Sequence, residues 1–365
     1  MTQTYDMTIN RLPVRTWNRL NMNGTVLRGL EGGQEGPVLD CVPEDIQSGG
    51  AKLSPLSTGM GGDMDTLLDG CRIPARRYLC PSGRADGAPL RLTFPAMRGA
   101  RRLNRVEILA ETGGELTVLM DLTDETDGDA PAGESGAASL LGLQTRILAR
   151  KDARVRLVQV IRPGQADVCL NDVGVRCEAG ARVQILQLVL RSTRLCLGCR
   201  GELLGEQSSL EADTGYLLRG DDRLDMNYEA VHLGAKTTSR MDVSGSLRDR
   251  AFKLFRGTID FQKGASGASG DEKEDVLLLD DGVVNQTIPL ILCSEEDVQG
   301  NHGATIGRLS GELLFYLQSR GISLADAREL MARSRMDALC ERIPDERLRQ
   351  SVKNDLEGGE RHENH

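Results

Sequence analysis

Aromatic residues are scarce in this 365-residue chain: one tryptophan (Trp17), five tyrosines and five phenylalanines make up only 3% of it. Compact globular cores lean harder on aromatic volume. A chain poor in rings but carrying 42 glycines fits many short strands joined by tight turns. Positive charge is also short, with 45 Lys and Arg against 54 Asp and Glu, a net charge of −9 and a pI near 5.2. That balance excludes a nucleic-acid partner, for which a basic face supplies most of the affinity. No run of about 18 apolar residues is present to span a membrane. The opening M-T-Q-T-Y-D-M-T-I-N-R-L lacks the basic-then-apolar order of a secretion signal. A cytoplasmic location is therefore expected. The nine cysteines, an odd number at uneven spacing, form no disulfide framework and are read as thiols. In that setting the Asn285-Gln-Thr sequon has no meaning.

What is present is a long series of strand-like bursts. The first 87 residues are irregular, and Pro13 to Leu20 reads as a cover for one end of a core, with Trp17 and Leu20 as plugs. From 88 to 308 apolar residues alternate with polar ones: Val106, Ile108, Ala110; Leu116, Val118, Met120; Val183, Ile185, Gln187. The bursts recur every 13 to 18 residues or so, and two of them make a coil of about 30 residues, the size of a rung in a parallel β-helix. Periodicity alone also admits a large β-sandwich. After Gly307 the period changes. Leu309, Leu313, Leu314 and Leu317 mark an amphipathic helix with Ser310 as N-cap and Gly321 as C-cap. Ser323 caps a second helix reaching Ile343, and a third has Pro344 in its first turn. The division is thus an irregular N-terminal segment capping the core (1–87), a β-core (88–308), a helical subdomain (309–356) and a disordered tail (357–365).

Few residues are placed for chemistry. His302, in N-H-G-A-T, sits at a turn ahead of the first helix, where a neutral imidazole suits iron and Gly303 lets a backbone come close; the plain alternative is a ring bonded to the turn. Cys293 ends the apolar run I-P-L-I-L, either as a thiolate ligand or as a small buried hydrophobe. Glu295, Glu296 and Asp297 offer hard oxygens or are simply solvated. Cys196-Leu-Gly-Cys199 is the lone C-x-x-C, too little for a structural zinc. Neither Gly264-A-S-G-A-S-Gly270 nor Gly59-M-G-Gly62 carries the Lys-Ser/Thr of a phosphate loop. Both read as flexible, and no bound nucleotide is expected.

The stretch from Cys293 to Ile322 resembles the C-terminal signature of the SufB/SufD family, scaffold subunits of the SUF iron–sulfur cluster assembly machine. Ala251-F-K-L-F-R-G-T-I-D-Phe261 and Glu274-D-V-L-L-L-Asp280 extend the likeness, which is strong over about the C-terminal third. The resemblance implies a mainly β protein, a right-handed parallel β-helix with a C-terminal helical subdomain. It implies a non-enzymatic scaffold for a transient iron–sulfur cluster or iron, with His302 as ligand and Cys293 and Glu296 as lesser candidates. It implies a SufB-like partner meeting strands near Val276 and Leu278, and a SufC-like ABC-type ATPase docking on Glu312, Leu313, Phe315, Tyr316, Arg320 and Leu330. A cysteine desulfurase would act through SufB. Two departures point to the SufD type. SufB sequences carry a sulfur-accepting cysteine, C-D-A-L-L-L-G, where this chain has Glu274, and a carboxylate cannot form a persulfide. They also read H-E-A-T-T where this chain has H-G-A-T-I. Two alternatives stay open: a homodimeric scaffold acting alone, and a β-helix carbohydrate-active enzyme using Asp242, Asp260 and Asp280, for which aromatic sugar platforms are lacking.

Overall fold

Leu141, Cys169, Leu195, Leu224, Lys253 and Asn285 are consecutive Cα partners in one parallel ladder, 28, 26, 29, 29 and 32 residues apart. Each interval is one coil of chain, two strands and two corners, that returns onto itself. The computed structural model, which describes residues 3–16, 18–50, 52–124 and 138–358, is thus a parallel β-solenoid of about eight turns.

Strands β1 (Thr4–Ile9) and β2 (Thr25–Glu31) form an antiparallel hairpin, followed by the short β3 (Gln34–Glu35), β4 (Leu39–Cys41) and β5 (Gln47–Ser48) and helix α1 (Gly62–Gly70). The coils then run through β6 (Ala75–Cys80), β7 (Leu90–Ala96), β8 (Arg101–Ala110), β9 (Glu115–Asp124), β10 (Leu140–Ala149) and β11 (Arg154–Ile161). Next come β12 (Val168–Cys177), β13 (Arg182–Val189), β14 (Arg194–Leu203), β15 (Ser209–Leu218) and β16 (Arg223–His232). The last are β17 (Thr238–Leu247), β18 (Phe252–Phe261), β19 (Ala268–Leu278), β20 (Val284–Cys293) and β21 (Val298–Arg308). From β6 onward even-numbered strands stack in one parallel sheet and odd-numbered strands in the other. The C-terminal helices are α2 (Gly311–Ser319), α3 (Leu324–Cys340) and α4 (Glu346–Gly358).

Alternation explains both sheets. Columns such as Val118, Leu157, Ile185, Ala212 and Met241 stack in register along the lumen and are buried, while their sequence neighbours face outward. A lumen one side chain deep from each sheet is filled by stacked aliphatics, which is why so few rings suffice. Gln187 does face inward, in a buried network where it donates to Gln159 Oε1 at 2.7 Å, Asn171 donates to the same oxygen at 2.8 Å, and Tyr228 donates to Gln187. One corner is built alike in coil after coil: Gly113, Asp152, Gly180, Gln207, Lys236 and Gly267 all have φ between 54° and 72°. Each donates its N–H to a carbonyl of the following coil at 2.7–3.0 Å.

Several expectations need correction. The N-terminal segment caps the core only in part: β4 and β5 pair antiparallel with β7 and β6 at the first coil and send Ile46 into the lumen core, while the rest lies elsewhere. The β1–β2 hairpin and α1 lie on the outer face of the even sheet, packing Met7, Ile9, Met64 and Leu67 on Leu103, Leu140, Leu170 and Cys196. Leu20 is exposed, so it plugs nothing, and Trp17 lies outside the described residues. Gly59 is no flexible loop: a Cβ there would lie 2.0 Å from the Cys199 backbone nitrogen, so only glycine permits the approach. Ala268 to Gly270 belong to β19.

The C-terminal helices divide unequally. Ser310 and Ser323 do cap α2 and α3, accepting from Leu313 N and Asp326 N. Asp345 caps α4, accepting from Leu348 N at 2.8 Å, so Pro344 precedes the helix rather than lying in its first turn. Ala332, Met336, Cys340, Ile343, Val352 and Leu356 seal onto Val158, Leu186, Leu188 and Leu217 of the odd sheet's outer face. Ion pairs Arg162–Asp355, Arg342–Asp213 and Arg335–Asp275 ring that contact. Helices α3 and α4 are thus part of the core, and only α2 buries no residue. The tail from 359 lies outside the described residues.

Candidate functional site at the open end of the solenoid

The last coil ends the solenoid without a cover. Strand β20 pairs only with β18, and β21 only with β19, so each presents an unpaired edge among the described residues. Accessibility follows: β19 alternates strongly, whereas nearly every residue of β21 is exposed.

Pleat parity identifies what faces the lumen here. On β19, Glu272, Glu274 and Val276 are buried while Asp271 and Lys273 are exposed. In register one coil further stand His302, Ala304 and Ile306. Side chains in register on a parallel ladder point the same way, so His302 lies on the lumen side, exposed because no further coil covers it. The expected N-H-G-A-T turn is instead mid-strand, since backbone pairing with Asp271 to Asp275 holds these residues extended. Among the described residues the ring of His302 has no hydrogen-bond partner.

Beneath it lies a charged cluster that sequence reasoning missed. Lys253 reaches into the lumen from β18 and pairs with Glu274, both side chains at most 1% exposed. Thr287 on β20 closes the triad, donating to Glu274 Oε2 at 2.7 Å and accepting from Lys253 at 3.0 Å. Burial pulls the lysine below its ordinary value, opposed by the glutamate's charge. Glu272 spans the lumen to Gly257, where a Cβ would lie 2.2 Å from its Oε2. Burial, aided by the neighbouring Glu274, pushes the Glu272 carboxyl up to about 8. Its Oε2 is buried and has no partner. The signal was in the alternation of Ala268, Gly270, Glu272, Glu274 and Val276, which places two glutamates on one inward face.

The other expected ligands lie elsewhere. Cys293 is exposed at the end of β20, its Sγ 2.9 Å from the Glu295 carbonyl oxygen, and Glu296 is exposed in the following corner. His302 is the fifth residue of β21, so it stands roughly 13 Å along the strand from that corner. The structure therefore brings Cys293 near Glu296 but not near His302, and joins His302 with Glu272. No cluster of three or more His, Cys, Asp or Glu suited to a metal occurs among the described residues. For iron or a nascent cluster as cargo, the fit rests on two unpartnered donors, and further ligands have to come from outside the chain. Cys196 and Cys199, three residues apart on β14, face opposite sides of it, one toward α1 and one into the lumen, so they cannot chelate together.

The residues expected to meet partners differ in accessibility. Val276 is fully buried in the lumen and Leu278 half-buried; the exposed apolar residues of the last coil are Val284 and Ile306. On α2, Phe315 is 74% and Tyr316 53% exposed, with the Arg320 guanidinium 5.2 Å from the Tyr316 ring centre. Glu312 is exposed beside them, Leu313 is half-buried, and Leu330 of α3 is exposed. No helix among the described residues is long and apolar enough to cross a membrane.

Comparison with known proteins agrees with this architecture. The chain is 26% identical over 150 residues, 41% of its length, to the iron–sulfur cluster assembly protein SufD of Bacillus subtilis (strain 168), and 30% identical over 138 residues, 37% of its length, to SufB of the same organism. An iron–sulfur cluster assembly SufBD family protein of Mycobacterium tuberculosis (strain ATCC 25618 / H37Rv) is 26% identical over 206 residues, 56% of the chain. These matches span 34%, 30% and 24% of the relatives' own lengths, respectively. The family described as SUF system FeS cluster assembly, SufBD core domain, matches residues 95–335, which include every coil from β8 onward together with Glu272, Glu274 and His302. The chain belongs to this SufBD family of iron–sulfur cluster assembly proteins.

Proposed function

We propose that this chain is a SufD-like, non-catalytic scaffold subunit of the cytoplasm. It pairs with a SufB-like subunit through its last coil, docks a SufC-like ATPase on α2, and offers His302 to iron or a nascent cluster where the two scaffolds meet. The observation that carries this reading is the open coil itself. An unpaired, exposed strand edge is a ready template for a partner strand, and His302 stands on it facing the lumen. The residue at the sulfur-acceptor position supports the SufD type: Glu274 is sealed in the lumen against Lys253, and no thiol replaces it there. Sulfur would then arrive on the SufB-like partner, delivered by a cysteine desulfurase.

Co-expression with SufB-like and SufC-like subunits tests this. His302→Ala is expected to leave the assembled complex intact while lowering its iron content and cluster formation. His302 is exposed, so its loss leaves no buried charge or cavity. Wild-type cluster formation in the folded His302→Ala complex, or a chain that joins neither subunit, would overturn the proposal.

A further inference from the structure

Two donors at the open end lack partners, and they are neighbours. The lumen column that contains them reads Ala212, Met241, Glu272 and His302 in successive coils. It is apolar until the penultimate coil, then abruptly offers a carboxyl and an imidazole. If the only task were to fill space, another methionine would do so. Instead Glu272 is 5% exposed with an oxygen that nothing satisfies. Buried polar groups are ordinarily paired, and one left over calls for an explanation, whether strain, a water or an ion.

The surrounding residues single out this carboxyl. Both oxygens of Glu274 are engaged, by Lys253 and by Thr287, so that glutamate is already compensated. Glu272 reaches across to Gly257, where any side chain would occupy the position of its carboxylate. Partner residues in adjacent coils lie about 4.8 Å apart and project in parallel, so Glu272 and His302 can reach one ion between them. Carboxylate oxygen and imidazole nitrogen together suit divalent iron.

We propose that Glu272 is a second protein ligand for divalent iron, binding from inside the lumen while His302 binds from the open coil. The proposal rests on the reading of His302 as an iron ligand, and it places the ion at the mouth of the lumen rather than at the β20–β21 corner with Cys293.

Cobalt(II) serves as the spectroscopic probe. The full-length chain is titrated anaerobically in a background carrying His362→Ala and His365→Ala, so that imidazoles of the C-terminal tail do not contribute. Glu272→Gln keeps the shape of the side chain, and Glu272→Met reproduces the residue of the preceding coil. Each variant, checked for folding by circular dichroism, is expected to weaken Co(II) binding about tenfold or more, a loss reached even when an outer partner of a ligand is removed. His302→Ala is expected to do the same and to alter the ligand-field spectrum. Unchanged affinity in a folded Glu272 variant, with binding lost in His302→Ala, overturns the role of Glu272 and leaves the His302 reading standing. Unchanged affinity in His302→Ala, or no Co(II) binding by the unaltered site, overturns both.

Discussion

Replacing Lys253 by methionine tests whether the lumen beneath His302 is as dry as its geometry requires. The lysine and Glu274 are at most 1% exposed, and Glu272 lies beside them at 5%. Removing one partner of a buried ion pair costs about 3–5 kcal/mol, because the remaining charge loses its compensation without regaining water. Replacing both, as Lys253→Met with Glu274→Leu, is expected to recover most of that loss, since a packed apolar pair is often neutral or stabilising by about 1–4 kcal/mol. The pH dependence has a defined sign. Glu272 titrates in the folded chain at about 8, raised from its ordinary 4.5, so between those values the folded state holds a proton that the unfolded state has released. Stability therefore falls as pH rises through this window, by about 1.4 kcal/mol per unit for each such carboxyl. Lys253→Met leaves two buried carboxyls without counter-charge, so its deficit relative to wild type is expected to be smallest near pH 5 and to widen toward pH 8. Urea unfolding followed by circular dichroism across that range gives the slopes. A single variant within about 1 kcal/mol of wild type at pH 8, or a deficit independent of pH, would refute the reasoning.

Phe315→Asp with Tyr316→Asp on α2 is expected to abolish binding of a SufC-like ATPase while changing stability by no more than about 0.5 kcal/mol, because neither side chain is buried; pull-down and thermal melts read the two effects. Met336→Ala, at a position with no exposure on the sheet-facing side of α3, is expected to cost about 2–5 kcal/mol and to raise protease sensitivity of the C-terminal helices before the coils themselves open.

Much of the fold was legible because strand alternation writes itself into composition. Val118 and Met120, or Val183, Ile185 and Gln187, mark inward positions wherever they occur. The coil-to-coil repeat was hidden by its own corner. Asp152, Gln207 and Lys236 adopt the same left-handed turn that Gly113, Gly180 and Gly267 adopt, so no glycine recurs at a fixed interval. At the site the sequence drew attention to His302 through its resemblance to the family, but suggested a turn because N-H-G is turn chemistry; ladder pairing overrides that local preference. Glu272 escaped notice since D-E-K-E-D reads as a solvated charge run until parity assigns alternate members to opposite faces. The burial of α3 was equally hard to foresee, because its arginines meet carboxylates of the sheet: Arg328 with Asp280 and Arg335 with Asp275.

Helices α3 and α4 lie across the odd sheet and touch coils far apart in the sequence, from Leu119 on β9 to Leu277 on β19. A solenoid whose coils met only their neighbours could fold progressively as it left the ribosome. Here the apolar stripe on its outer surface is complete long before Leu356, the last residue that covers it, has been synthesised. At about 5–20 residues per second, Leu119 waits on the order of ten seconds or more for its cover. During synthesis the nascent coils therefore carry an uncovered hydrophobic strip, and the final turn of α4 completes its cover.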